Sequence, residues 1–232
     1  MIDFEALFKI SYGLYVVSSG NKDQGSAYIA NTFSQMTSEP PQFAIFCSKN
    51  NYTTELIKAS GVYAVSVLAQ DAPPEIIGRF GFRSGRDFDK LEGMNLTFGT
   101  TGCPIVLNNA IAFMECKVIN TIDVGTHMMF IGQLLKSELL DGEAEPLTYA
   151  YYRNIRKGFA PKNAPTYIDK SKFEKKISGN FGKYECTACG YIFNEETGDP
   201  DNHIKAGTTF GELPAGWTCP ICGAEKEDFI LL

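Results

Sequence analysis

Hydrophobic residues along this chain gather in short dense runs more often than in helical stripes, which is the signature of strands. Runs rich in Val, Ile, Tyr and Phe predict strands over Tyr12–Ser19, Ser26–Phe33, Phe43–Cys47 and Val62–Leu68. Two longer ones, Ile111–Ile122 and His127–Leu139, flank the turn signal Asp123-Val124-Gly125. Helical spacing is less common. Phe4, Leu7 and Phe8 share one side of a short helix over 3–10, and Tyr52, Leu56 and Ile57 do so over 51–60, closed by Gly61. A third short helix starts after Pro73-Pro74 and ends near Gly81. Mostly antiparallel strands with a few helices predict a mainly β, closed or partly closed barrel. From Tyr151 to Phe181 the pattern lapses into Lys, Asn and Pro, and Pro161 and Pro165 deny backbone donors. This stretch predicts an extended arm and a linker, with a boundary near Gly182. The chain thus divides into 1–153, 154–182 and 183–232.

Composition and charge narrow the class. With 232 residues, 44% hydrophobic and 21% charged, the chain reads as a soluble globular protein with room for one ordinary domain and a small module. No apolar run approaches the roughly 18 residues that span a bilayer. The start MIDFEALFKI lacks the basic and long apolar segments of a signal peptide, so a cytoplasmic protein without membrane contact is expected. Residues 1–153 carry 16 acids and 11 bases, 154–182 carry 2 and 7, and 183–232 carry 9 and 3. A basic connector, most simply a solvated linker, therefore joins two acidic bodies. Acidic bodies disfavour nucleic acid and suit a docking partner with a basic patch.

Of seven cysteines, Cys47, Cys103 and Cys116 are scattered and read as small buried hydrophobes. The other four form two C-x-x-C pairs, Cys186 with Cys189 and Cys219 with Cys222, and 29 residues separate the pairs. Each pair lets two sulfurs from one tight turn reach the same ion, closing a tetrahedral site of four thiolates. Gly190 and Gly223 follow each second cysteine, where positive φ would turn backbone N–H groups toward sulfur and tune a potential. A body of about 45 residues buries too little core to fold without help from the metal. Thiolate chemistry alone fits structural zinc as well as iron. Between the pairs and around them, Tyr184, Tyr191, Phe193, Phe210, Trp217 and Phe229 supply an aromatic core, and His203 reads as a surface residue. The segments KYECTACGYIFNEETGDPD, GTTFGELPAGWTCPICGA and EDF resemble rubredoxin over roughly 183–230. The resemblance implies one iron held by the four cysteines and cycling between ferric and ferrous.

Earlier in the chain, Asn31-Thr32-Phe33-Ser34-Gln35-Met36-Thr37 ends an apolar strand with polar side chains. Cys47-Ser48-Lys49-Asn50-Asn51-Tyr52-Thr53-Thr54 leads from a strand into a helix, and hydroxyls, a lysine and a helix N-terminus in that order suit a phosphate. A capped helix alone would give the same pattern. Phe82-Arg83-Ser84-Gly85-Arg86-Asp87 offers a second anion-contacting loop or a solvated face. Together with YGLYVVSS, GVYAVSVLAQ, FGFRSGRDFDK and GTHMMFIG, these segments resemble the flavin reductase-like, FMN-binding split-barrel family over roughly 5–150, flavoredoxin included. That resemblance implies a homodimeric Greek-key split barrel with FMN near the subunit interface. By position, it places Asn31, Thr32, Ser34 and Gln35 on the isoalloxazine and ribityl. Ser48, Lys49, Asn51 and Thr53 fall at the phosphate, with Ser84 and Arg86 in support. His127 matches a histidine near the flavin and nicotinamide, although a histidine at a strand start is as readily structural. No G-x-G-x-x-G fingerprint occurs, and the family binds nicotinamide without one.

The order barrel, linker, rubredoxin resembles the high-molecular-weight rubredoxins. It implies an oxidoreductase that passes electrons from NADH, or equally NADPH, through FMN to the Fe(Cys)4 centre. A flavodiiron protein that disposes of oxygen or nitric oxide would be the acceptor. Two other readings stay open: a carrier whose FMN is reduced by another protein, and a zinc-bound docking module in place of the iron relay.

Overall fold

The computed structural model describes residues 4–169 and 181–232. Residues 170–180 of the basic connector read from the sequence lie outside the described residues, as does the start of the first helix. Within the first body the order is α1 (Phe4–Leu7), β1 (Tyr15–Gly20), β2 (Gly25–Ala30), β3 (Phe33–Ser38), β4 (Pro41–Ser48), α2 (Tyr52–Ser60) and β5 (Val62–Leu68). Then follow α3 (Pro74–Gly81), β6 (Leu96–Phe98), β7 (Pro104–Val106), β8 (Ala110–Asp123), β9 (His127–Leu139) and α4 (Tyr149–Asn154). The second body holds β10 (Lys183–Cys186), β11 (Ile192–Asn194) and β12 (Phe229–Leu231).

Seven strands form one antiparallel sheet in the order β2-β1-β5-β8-β9-β4-β3. Its two edge strands are consecutive in the chain, with only Asn31 and Thr32 between them. A flat sheet of this width would hold its edges close to 30 Å apart, whereas a two-residue link reaches about 10 Å. The sheet therefore has to curl until its edges meet, and Asn31-Thr32 becomes the seam of a split barrel. Alternation along each strand then sorts side chains to two faces. Val17, Tyr28, Tyr63, Val65 and Phe130 fill one core, while their neighbours Val16, Ala27 and Leu68 join the outer core under α3 and α4.

Three elements depart from the sequence pattern. The first helix ends at Leu7, short of the expected position 10. The single run Ser26–Phe33 breaks at the seam, so that Phe33–Ser38 becomes a separate strand, β3, whose polar, exposed composition hid it. Residues 149–154 are helical, where an arm is expected from Tyr151, because Thr148 caps the helix by accepting a hydrogen bond from the Tyr151 N–H at 3.1 Å. Beyond α4 the chain to Asp169 has neither helix nor strand, as the prolines require. Arg156 fastens this arm by donating to the carbonyls of Gln70 and Ala72.

The second body packs on the first. Its three-stranded sheet, β11-β10-β12, supports the aromatic core anticipated from composition: Tyr184 stacks on Phe210 with centroids 4.1 Å apart, and Trp217 meets Phe193 and Phe229 at 5.8 and 5.3 Å. One continuous apolar cluster runs from Leu14, Ile76, Ile77 and Tyr152 of the barrel into Tyr191, Trp217 and Ile221. Among the described residues no helix is long and apolar enough to cross a membrane.

Candidate metal centre and cofactor cavity

In the second body the four sulfurs converge. Cys186 Sγ lies 3.8 Å from Cys222 Sγ, Cys189 Sγ lies 3.5 Å from Cys219 Sγ, and all four fall within 4.8 Å of one another. Metal–sulfur bonds of about 2.3 Å in a tetrahedron give sulfur–sulfur separations near 3.8 Å, so the set fits one ion. Gly190 and Gly223 take φ of 76° and 73°, the left-handed turn each knuckle needs. The Tyr191 N–H donates to Cys189 Sγ at 3.4 Å. Thiols this close cannot all lose their protons unaided. Hydrogen bonds from Cys189 and Cys219 hold Cys222 down at about 3, while the hydrogen bond with Cys219 drives Cys189 far up. A bound cation removes that conflict, and the donor set is the one iron or zinc takes. His203 is exposed and takes no part.

By contrast, Cys47, Cys103 and Cys116 are fully buried, and burial pushes Cys103 up to about 12 and Cys116 to about 11. They are inert core residues.

A cavity of about 1200 Å³ opens between the barrel, the arm and the second body. Ser48, Asn51, Thr53 and Ser84 line it, brought together from the end of β4, the start of α2 and the loop after α3. At the start of α2 the Thr54 N–H donates to the Asn51 carbonyl at 3.0 Å, and Asn51 makes no side-chain cap. Its Nδ2 donates instead to Cys47 Sγ at 3.7 Å. Asn31 and Thr32, at the seam, bring two buried oxygens, Asn31 Oδ1 and Thr32 Oγ1, that have no hydrogen-bond partner. Ser26 Oγ is a third, and a Cβ at Gly85 would collide with it. Buried unpaired acceptors and hydroxyls are costly unless a ligand satisfies them.

Lys90 is the residue that sequence reasoning missed. It lines the cavity at 5% exposure, and its Nζ donates to the Phe80 carbonyl at 3.1 Å. Burial holds it down at about 8, and no carboxylate pairs with it among the described residues. A buried cation among hydroxyls and helix amides fits an anionic group such as a phosphate. The signal lay in the run Arg83–Lys90, where the two arginines drew attention and the last basic residue looked like part of the same surface.

The other candidates, Asn31 and Thr32 among them, lie outside the cavity wall. Ser34 and Gln35 are exposed on the edge strand β3, where Gln35 Nε2 donates to the Thr37 carbonyl at 3.2 Å. Lys49 points away, paired with Asp123 at 2.7 Å. Arg86 is paired with Glu55 and donates to the Asn50 carbonyl at 3.0 Å. His127 is taken up by the arm: Nε2 donates to the Asn163 carbonyl at 3.0 Å, and Nδ1 accepts from the Thr126 hydroxyl at 2.8 Å. Asn31 holds the same arm through Nδ2 and Thr166 Oγ1 at 2.6 Å. Residues Cys186–Gly190 of the first metal knuckle complete the wall, so the metal centre and the hydroxyl-lined cavity share a boundary.

Comparison with known proteins matches residues 7–157 to the flavin reductase like domain and residues 183–229 to rubredoxin. A high molecular weight rubredoxin of Moorella thermoacetica is 40% identical over 98% of this chain and 99% of its own. An NAD(P)H ferric-chelate reductase of Archaeoglobus fulgidus is 45% identical over 72% of this chain and 99% of its own. Among solved structures, an NADH:FAD oxidoreductase of Streptomyces globisporus shares the fold at a TM-score of 0.56 and 22% identity, covering 62% of this chain and 84% of that one.

Proposed function

Because the chain belongs to the flavin reductase-like family and ends in a rubredoxin, as the high molecular weight rubredoxins do, we propose that it carries electrons from NADH through FMN to an Fe(Cys)4 centre and on to a flavodiiron protein. The coarser statement, a flavin-linked oxidoreductase that delivers electrons to a rubredoxin, follows from the pairing of the two families. The observation that carries the finer one is the shared wall: residues suited to a phosphate and a metal knuckle face one cavity.

The chemistry is supplied by the cofactors, since FMN when bound accepts two electrons as hydride and releases them singly, while iron moves one at a time. The chain's own residues bind and orient. Ser48, Thr53, Ser84 and the start of α2 would take the phosphate, with Lys90 as counter-charge. Asn31 and Thr32 would use their unpaired oxygens on the ribityl and ring edge. Ser34, Gln35, Lys49 and Arg86 stand outside the wall, where Arg86 holds the Asn50 carbonyl in place, and Asn51 joins the phosphate group with its Nδ2 anchored on Cys47 Sγ. Hydride transfer demands no side-chain acid or base, and His127 acts by holding the arm over the cavity. The name of the Archaeoglobus relative supports a nicotinamide donor.

A second copy of the chain is the proposed partner of the flavin domain. Ile119, Ile122, Val124, Leu135 and Leu139 leave exposed apolar side chains on the hairpin of β8 and β9, and Met36 is exposed on β3. The free thiols suit a reducing, cytoplasmic setting. Anaerobic mixing with NADH tests the central reading: the flavin bands should bleach, followed by the iron bands. If neither NADH nor NADPH bleaches the flavin, the donor is another protein.

A further inference from the structure

Glycine inside a helix costs about 1 kcal/mol relative to alanine, and α3 carries one at its centre, Gly78. The three atoms that a Cβ at Gly78 would approach most closely all belong to Cys222: its carbonyl oxygen at 2.6 Å, and its Cα and Cβ at 3.2 Å each. Glu75, one turn earlier on α3, borders Gly223 in the same way, its Cγ 3.5 Å from where a Cβ there would be. Glycine at position 78 is thus explained by the second body and not by the helix. Ile76 and Ile77 continue the contact into the cluster that holds Trp217 and Ile221.

The contact falls on the working edge of the metal site. The second knuckle rests on α3, and the first forms part of the cavity wall. In this pose Cys186, Cys189 and Cys219 are buried and Cys222 is half-buried. We propose that the face of α3 centred on Gly78 is the docking surface on which the chain's own rubredoxin is loaded, and that this contact must open before a protein acceptor can be served. The inference rests on the flavin-to-iron reading above. Loading moves one electron from the reduced flavin to ferric iron, leaving ferrous iron; delivery returns it to ferric and reduces the acceptor by one electron. Both passages favour the edge where the thiolates come nearest the surface, and α3 and an acceptor cannot occupy that edge together.

The full-length, cofactor-loaded protein is compared with Gly78→Leu, and with Gly78→Ala as a milder variant that favours the helix and adds a single carbon. Hydrogen exchange of residues 74–81 reads docking without reference to any donor. The wild type should protect these amides, and the variants should lose protection on the order of tenfold, the population cost of one forced overpacking contact. The flavin is then reduced by light, which leaves the result readable even if NADH is not the donor. Reduction of the iron should slow by a similar factor, while oxidation of ferrous iron by cytochrome c, a basic protein acceptor, should quicken. Equal exchange in the wild type and both variants, or an unchanged rate of iron reduction alongside lost protection, would overturn the proposal.

Discussion

The two bodies of this chain hold their chemistry in opposite ways. In the C-terminal body the ligands are local: each pair of sulfurs comes from one turn, and two turns finish the site. In the barrel the cavity is assembled from residues that lie far apart in the chain, from Tyr28 on β2 to the arm at 158–169. A local site can be read from spacing because the turn that makes it is a few residues long. An assembled site depends on the curl of a seven-stranded sheet, and its members become neighbours only after the sheet closes.

The largest effect should come from breaking the local site. Cys219→Ser removes one of four ligands from a small body whose folding depends on its metal, and structural four-ligand sites contribute roughly 10 kcal/mol or more. The iron should be lost and β10–β12 should unfold while the barrel stays intact; metal analysis and circular dichroism of the full chain check this. Retention of a folded small domain without metal would show that its aromatic core suffices.

Next comes the buried cation of the assembled site. Lys90→Met should weaken FMN about 10- to 100-fold, as expected for loss of a charge-assisted contact, measured by flavin fluorescence. The pH dependence has a definite sign. Burial holds Lys90 at about 8 against an ordinary 10.5, so between these values the unfolded chain keeps a proton that the folded chain has shed. Stability of the flavin-free protein should therefore rise with pH through that window, by up to about 3 kcal/mol, and the rise should be absent in Lys90→Met. FMN affinity should fall over the same range as the lysine discharges.

Much of the fold was legible because strand density, the Pro-Pro helix start and the Gly61 stop are local signals that tertiary structure did not override. What escaped was polar or brief. β3 is exposed along most of its length, β6 and β7 have three residues each, and α4 owes its start to Thr148, just ahead of the stretch that holds Pro161 and Pro165. The four cysteines singled out by spacing converge, and the two glycines that follow them take positive φ. The cavity was half found. Ser48, Asn51, Thr53 and Ser84 converge, while Lys49 and Arg86 have exposed carboxylate partners, a competition between charges that no spacing reveals. Lys90 carries the same letter as any surface lysine, and only burial distinguishes it.

Glu115 sharpens the contrast at intermediate cost. Fully buried, it accepts hydrogen bonds from the N–H and hydroxyl groups of Thr100 and Thr101 at 2.5–2.9 Å. Burial alone would raise its pKa, but these hydrogen bonds outweigh it and lower the value from 4.5. Glu115→Ala should cost on the order of 3 kcal/mol in chemical denaturation without altering the metal site. In the wild type this contribution should fade as pH falls below 4.5 through the folded value. The smallest effect is expected at His127, whose ring hydrogen-bonds Thr126 and the Asn163 carbonyl. His127→Ala should change FMN affinity by about 1 kcal/mol or less and leave hydride transfer intact. A loss of flavin reduction with normal FMN binding would instead give His127 a place in the reaction.

The most direct test of the whole account is an anaerobic reductive titration of the full-length protein, following flavin and iron absorption together. Electrons introduced at the flavin should bleach the ferric bands as well, with iron and flavin present in equal amounts. Iron that stays ferric beside fully reduced flavin, or a metal centre that proves to be colourless zinc, would contradict it.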